Sequence, residues 1–216
     1  MIFVIVLLGA IYAGIRLYQS KPKSSSPTSV ASISPSPQVT ATQTPMIPPN
    51  ASALAQPVAD FKAGVTKKPF GIYISPQNSP VQPERFTGYH TGADAEYADV
   101  TADVPVLAIA DGTITYSQWT SGYGGCFILK ADINGTPHSV LYGHIRPSTL
   151  PSVGHKFKKG GQIAVLGTAY STETDGERRH LHSAILSNSR IDVKGYVSSE
   201  SQLSGWLDPL KYYKYN

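Results

Sequence analysis

Cysteine is almost missing from this chain: Cys126 stands alone among 216 residues. No intrachain disulfide can form, and no metal site can be assembled from thiolates. The run CFIL around it predicts a buried, inert thiol rather than a nucleophile. Charge is also missing where it would be informative. There is no charged side chain from Met1 to Ile15 and no acidic one from Gln19 to Pro57. With 18 basic and 14 acidic residues the formal net charge is +4, a mild attraction to anionic polymers. No helix-turn-helix, zinc-finger or RNA-binding signature accompanies it, so no nucleic-acid partner is expected.

The uncharged start, MIFVIVLLGAIYAGI, runs into Arg16, Leu17 and Tyr18. It sits at the lower edge of what spans a hydrocarbon core of ~30 Å. A retained anchor and a cleaved signal are the two readings of residues 1–18. The lack of a basic lead-in and of a small-x-small cleavage site favours the anchor. Arg16, Lys21 and Lys23 follow the apolar run, so orientation is inferred from the domain beyond, not from charge. Residues 19–67 are rich in Ser, Thr and Pro and poor in large apolar side chains. Such a segment cannot offset the entropy of ordering its backbone and reads as a disordered, extended spacer.

The folded domain is expected over residues 68–216, where the texture is that of strands. VPVLAIA, TITYSQW, CFILKA, SVLYGHI, QIAVLG and HLHSAIL alternate with Asp111-Gly112, Gly124-Gly125, Asn134-Gly135 and Gly160-Gly161. Asn-Gly between two such runs is a two-residue hairpin turn, since both residues tolerate positive φ. No stretch carries a helical period of adequate length. The expectation is a mostly β, antiparallel domain with few helices.

Three patterns carry chemistry. In YHTGAD, His90 and Asp94 are four apart. A straight strand would hold their Cα atoms ~13 Å apart, so a bend at Gly92-Ala93 is needed to bring both to one ion. In RHLHSAIL, His180 and His182 are two apart and face the same side of a strand. One can ligate a metal while the other stays beside it for proton transfer. In LYGHI, His144 ends an alternating strand and matters only if it converges on the other two segments. Two histidines and a carboxylate leave a fourth position open on zinc, the catalytic rather than the structural arrangement. His138, His155, Arg178 and Arg179 are read as exposed side chains; the two arginines could instead meet substrate carboxylates.

The ordered set YHTGAD, LYGHI and RHLHSAIL resembles the lysostaphin/LytM-type zinc endopeptidases, whose fold is a duplicated hybrid motif with an open groove. VPVLAIADGTITY, GHKFKKGGQIAVLG and LDPLKYY resemble the family's intervening and closing segments, so the likeness covers about Arg85 to Tyr213. It implies His90, Asp94 and His182 as zinc ligands, His144 and His180 as catalytic histidines, and peptidoglycan peptides as substrate. A monomer at the extracytoplasmic face of the cell envelope is expected, tethered to the membrane by the N-terminal apolar segment. The charged lead-in STETDGERRHLHS and Ser183 after the second histidine depart from the family pattern. They leave every ligand in place but bear on the groove. Two rivals are weaker. An inactive, envelope-binding regulator of other hydrolases would be expected to lack part of this residue set. A lipoyl-like carrier domain explains none of the histidines.

Overall fold

A computed structural model of the chain describes residues 54–213; the apolar segment 1–18 and the spacer up to residue 53 lie outside the described residues. Among the described residues no helix is long and apolar enough to cross a membrane. Among the described residues, helical structure is confined to α1 (Phe61–Gly64) and three short 3-10 turns. Among the strands, β1 (Tyr73–Ile74), β2 (Gly88–His90), β3 (Ala93–Glu96) and β4 (Pro105–Leu107) precede the long ones. These are β5 (Gly112–Thr120), β6 (Gly124–Ile133) and β7 (Thr136–Ile145). After them come β8 (Lys156–Phe157), β9 (Gln162–Val165), β10 (His180–Leu186), β11 (Tyr196–Val197) and β12 (Trp206–Leu207).

Every named pairing is antiparallel. The main sheet has seven strands in the order β12-β10-β7-β6-β5-β8, with β3 also paired to β10. Small sheets β1-β2-β11 and β4-β9 complete the domain. The β6–β7 hairpin turns at Asn134 (φ 56°) and Gly135 (φ 80°), as Asn-Gly chemistry requires. Alternation along the long strands sorts their side chains between two cores. Phe127, Leu129, Val140, Tyr142, Leu181 and Ile185 lie in the larger one. Cys126, Ile128, Leu141, Ala184 and Leu186 lie in the smaller one, on the other face. Burial pushes the Cys126 thiol up to about 12, so it is inert at neutral pH, as its apolar neighbours suggest.

Two sequence readings are corrected here. The spacer does not extend to residue 67. Val58 and Phe61 are fully buried, Phe61 packs edge-on against Tyr213 with ring centroids 5.2 Å apart, and Ala55 N–H donates to the Ile109 carbonyl at 2.9 Å. A few apolar residues in a Pro- and Ala-rich stretch suffice where the core of the domain receives them. His138 is also not exposed. It is buried on β7 and its Nδ1–H donates to the Leu186 carbonyl at 2.7 Å. His155 does lie exposed.

Candidate metal centre and catalytic cleft

Three segments converge on one face of β10. Antiparallel register sets Asp94 of β3 opposite His182 and, on the other side, Gly143 of β7 opposite the same residue. His180 and His182 point to one side of the strand, as period-2 geometry demands. The loop after β2 then brings His90 over the pair. Gly92 is required for room, not for a positive φ. A Cβ there would stand 2.6 Å from the Ser183 carbonyl oxygen and 2.8 Å from the His182 ring.

His90 Nε2, Asp94 Oδ1 and His182 Nδ1 form a triangle with sides of 3.0, 3.0 and 3.2 Å. Three atoms placed so closely can share a proton only pairwise, which leaves electron pairs facing each other. Ligands ~2.0–2.1 Å from a tetrahedral zinc ion would be spaced about 3.3 Å apart, so the donor set fits such an ion. All three side chains are buried. His90 Nδ1–H donates to the Pro69 carbonyl at 3.1 Å, which fixes the tautomer that leaves Nε2 bare. His182 Nε2 has no partner among the described residues.

His180 and His144 sit beside this triangle. His180 Nε2 lies 3.3 Å from the other Asp94 oxygen, Oδ2, and its Nδ1–H donates to the Arg178 carbonyl at 2.9 Å. The His144 ring is 4.0 Å from the His180 ring, centroid to centroid. Simple alternation would send His144 into the larger core with Val140 and Tyr142. It escapes because β7 bulges: Gly143 pairs with Cys126 and Ile145 with Gly125, so His144 is an extra residue. Its φ is +63°, and the bulge re-aims its ring into the cleft. The Tyr123 ring lies 5.4 Å from His144 and 5.3 Å from His182. It rests on Gly143, where a Cβ would fall 2.4 Å from the Tyr123 ring.

The electrostatics follow from burial. Burial alone would raise the Asp94 carboxyl, yet the His90, His180 and His182 rings around it hold it well below the carboxylate range. Burial lowers His180 and His182, against the pull of the Asp94 charge. It lowers His144 to about 3. Burial thus favours the neutral rings of His144, His180 and His182 beside an anionic carboxylate. Because the unfolded histidine binds its proton near pH 6.5, the stability due to neutral His144 is present above that pH. It is lost as pH falls towards about 3. The melting temperature of the chelator-treated domain should therefore drop between pH 7 and pH 4. The loss amounts to a few kcal/mol on the order of magnitude of such shifts, and His144→Gln should flatten the slope. A melting curve independent of pH over that range would refute this.

The cleft in front of these residues has a volume of about 230 Å³. Phe86 and Lys68 line one wall, and Val193 to Tyr196 another. Lys68 is buried and paired with Glu84 at 2.5 Å, and it also donates to Tyr196 Oη at 3.1 Å. At the rim, Arg85 reaches Glu177 at 2.8 Å and Asp175 at 3.1 Å. The reading of Arg178 and Arg179 as exposed is corrected. Both are buried, because backbone and carboxylate acceptors wait for them. Arg179 donates to the carbonyls of Val100 and Ala102. Arg178 joins Asp94 and Glu96. Sequence reasoning missed both, although the unusual density of charge before RHLH was a signal.

A fold of antiparallel strands that gathers two histidines and an aspartate at the floor of a cleft, with two more histidines beside them, defines a metallopeptidase-like domain. Residues 88–193 match the family model described as Peptidase family M23. Among solved structures the chain is similar to Csd3 of Helicobacter pylori, at 21% identity over 76% of this chain and 35% of that one, with a TM-score of 0.46. It is similar to lysostaphin at 29% identity over 57% of this chain and 42% of that one, with a TM-score of 0.40. LytU matches at 25% identity over 67% of this chain and 82% of that one, with a TM-score of 0.42. The chain thus spans less than half the length of the first two. No curated protein sequence matches it.

Proposed function

We propose that the domain is a zinc-dependent endopeptidase that hydrolyses peptide bonds in peptidoglycan stem or cross-link peptides. The observation that carries this reading is the triangle of His90 Nε2, Asp94 Oδ1 and His182 Nδ1, with sides of 3.0–3.2 Å, at the floor of a cleft. These three residues would hold the ion. A zinc ion there would supply Lewis-acid polarisation of the scissile carbonyl and would make a water molecule acidic enough to attack at neutral pH.

The chain's own residues supply the rest. His180 has its Nδ1–H committed to the Arg178 carbonyl, so its Nε2 carries the lone pair that can accept a proton from the attacking water. His144, neutral through burial, stands against the same ring. It can share that proton or donate to the oxygen that gains charge. The proton finally goes to the nitrogen of the leaving amine as the C–N bond breaks. The histidines and Asp94 at the floor of the cleft are buried, and a low-dielectric surrounding strengthens each of these interactions.

The test is digestion of purified peptidoglycan of several cross-link types, with fragments identified by mass spectrometry. New amino termini within the peptides are expected. Intact peptides beside a metal-loaded protein would sink the reading and leave an envelope-binding regulator in its place. We further propose that the domain works outside the membrane as a monomer, tethered by residues 1–18 through the Ser/Thr/Pro-rich spacer. Protease added to intact cells should then degrade it, and protection until lysis would contradict that placement.

A further inference from the structure

We infer that Arg178 is a positioning residue for the metal centre: it occupies one Asp94 oxygen so that only the other is presented to the ion. The inference rests on the metal-site reading above and goes beyond it, since Arg178 is not one of the proposed ligands. Arg178 Nη2 donates to Asp94 Oδ2 at 2.8 Å, while Asp94 Oδ1 is the oxygen within 3.0–3.2 Å of His182 and His90. Carboxylates can grip a cation through one oxygen or both; a guanidinium on one oxygen competes with the two-oxygen mode. His180 Nε2 also approaches Asp94 Oδ2, at the longer distance of 3.3 Å.

Arg178 is itself held rigidly. Its Nε lies 2.9 Å from both oxygens of Glu96, and Nη2 is also 2.8 Å from Glu96 Oε1. Glu96 and Asp94 are two apart on β3, so both carboxylates face the same side of the strand and one planar fork spans them. The backbone of Arg178 adds a second restraint, because its carbonyl accepts the His180 Nδ1–H at 2.9 Å. One residue thus fixes the free oxygen of a ligand and the tautomer of the adjacent histidine. A lysine could not do this, for it has no fork to bridge two carboxylates. Opposing this, the guanidinium charge repels a cation bound nearby. The geometry favours positioning over repulsion, because Glu96 offsets that charge.

The test uses Arg178→Gln, Arg178→Lys and Glu96→Gln in the full chain, loaded with zinc or with cobalt(II) as a spectroscopic substitute. Metal retention is measured by competition with a chelator, and ligand number by the visible spectrum of the cobalt form. Arg178→Gln should lose zinc about 10–100-fold more readily, the usual effect of removing an outer partner of a ligand. Its cobalt bands should shift as the second Asp94 oxygen becomes free. Arg178→Lys should fail to restore the wild-type spectrum. Glu96→Gln, which leaves the Arg178–Asp94 contact in place, should show a smaller change in the same direction and serves if Arg178→Gln does not fold. Tighter zinc retention in Arg178→Gln would mean that charge repulsion outweighs positioning and would overturn the inference. So would unchanged retention and spectrum with only a lower melting temperature. Absence of metal uptake by the unaltered chain would overturn the metal-site reading itself, a result separable from the other two.

Discussion

Replacement of His182 by alanine should abolish stoichiometric zinc binding and lower peptide hydrolysis by more than about 10³. His182 supplies one of three donor atoms within 3.0–3.2 Å of each other, and two donors do not hold the ion against dialysis. Losing several kcal/mol of Lewis-acid stabilisation corresponds to that factor at about 1.4 kcal/mol per tenfold. The fold should survive in large part, since Leu181 and Ile185, on the opposite face of β10, remain in the larger core. Metal analysis and turnover on one preparation decide the matter. Full zinc occupancy in His182→Ala would sink the ligand assignment, and near-wild-type turnover would sink the role of the centre in hydrolysis.

His144→Ala should separate catalysis from metal binding. The ring touches the His180 ring and not the metal triangle, so zinc content should stay at the wild-type level. Hydrolysis should fall by about 10²–10⁴, the contribution of a positioned acid–base group. His144 occupies a left-handed backbone position, so His144→Asn is the better control, asparagine being comfortable there. Both variants should lose turnover alike, and His144→Asn should keep more of the melting temperature. Wild-type turnover in either, with folded protein, would end the proposed role of this residue.

Much of the fold was legible because the strands announce themselves. Runs such as CFILKA and SVLYGHI carry β-branched and apolar residues between Asp-Gly, Gly-Gly and Asn-Gly turns, and these became β5 to β7 and their hairpins. The pairing of His180 and His182 on one strand face follows from period 2 alone. The convergence of His90, Asp94 and His144 on them does not. It depends on which strands pair and in which register, and local patterning does not specify partners. His144 shows this best, since alternation assigns it to the core face and only a bulge opposite Gly125 and Cys126 turns it round. Arg178, Arg179 and His138 were misread for a related reason. Charged and polar residues are exposed unless an acceptor meets them, and their acceptors lie 48 to 84 positions away in sequence.

The way Asp94 faces His182 also says where this chain can change its length. Cross-strand neighbours in β3 and β10 meet by register, and one residue added between His90 and Asp94, or between His180 and His182, would turn a donor atom to the wrong side of its strand. Elsewhere the count of residues is loosely constrained. The tips at Gly135, Gly154 and Gly160 have nothing within 4 Å of a built Cβ, and lengthening a surface loop costs only about 0.6 kcal/mol per doubling. A peptide tag or a whole guest domain grafted at the Asn134–Gly135 turn should therefore leave hydrolysis intact, while a single inserted alanine after Thr91 should erase it. The molecule is in this sense spelled in two scripts, one that tolerates insertion and one read strictly by position.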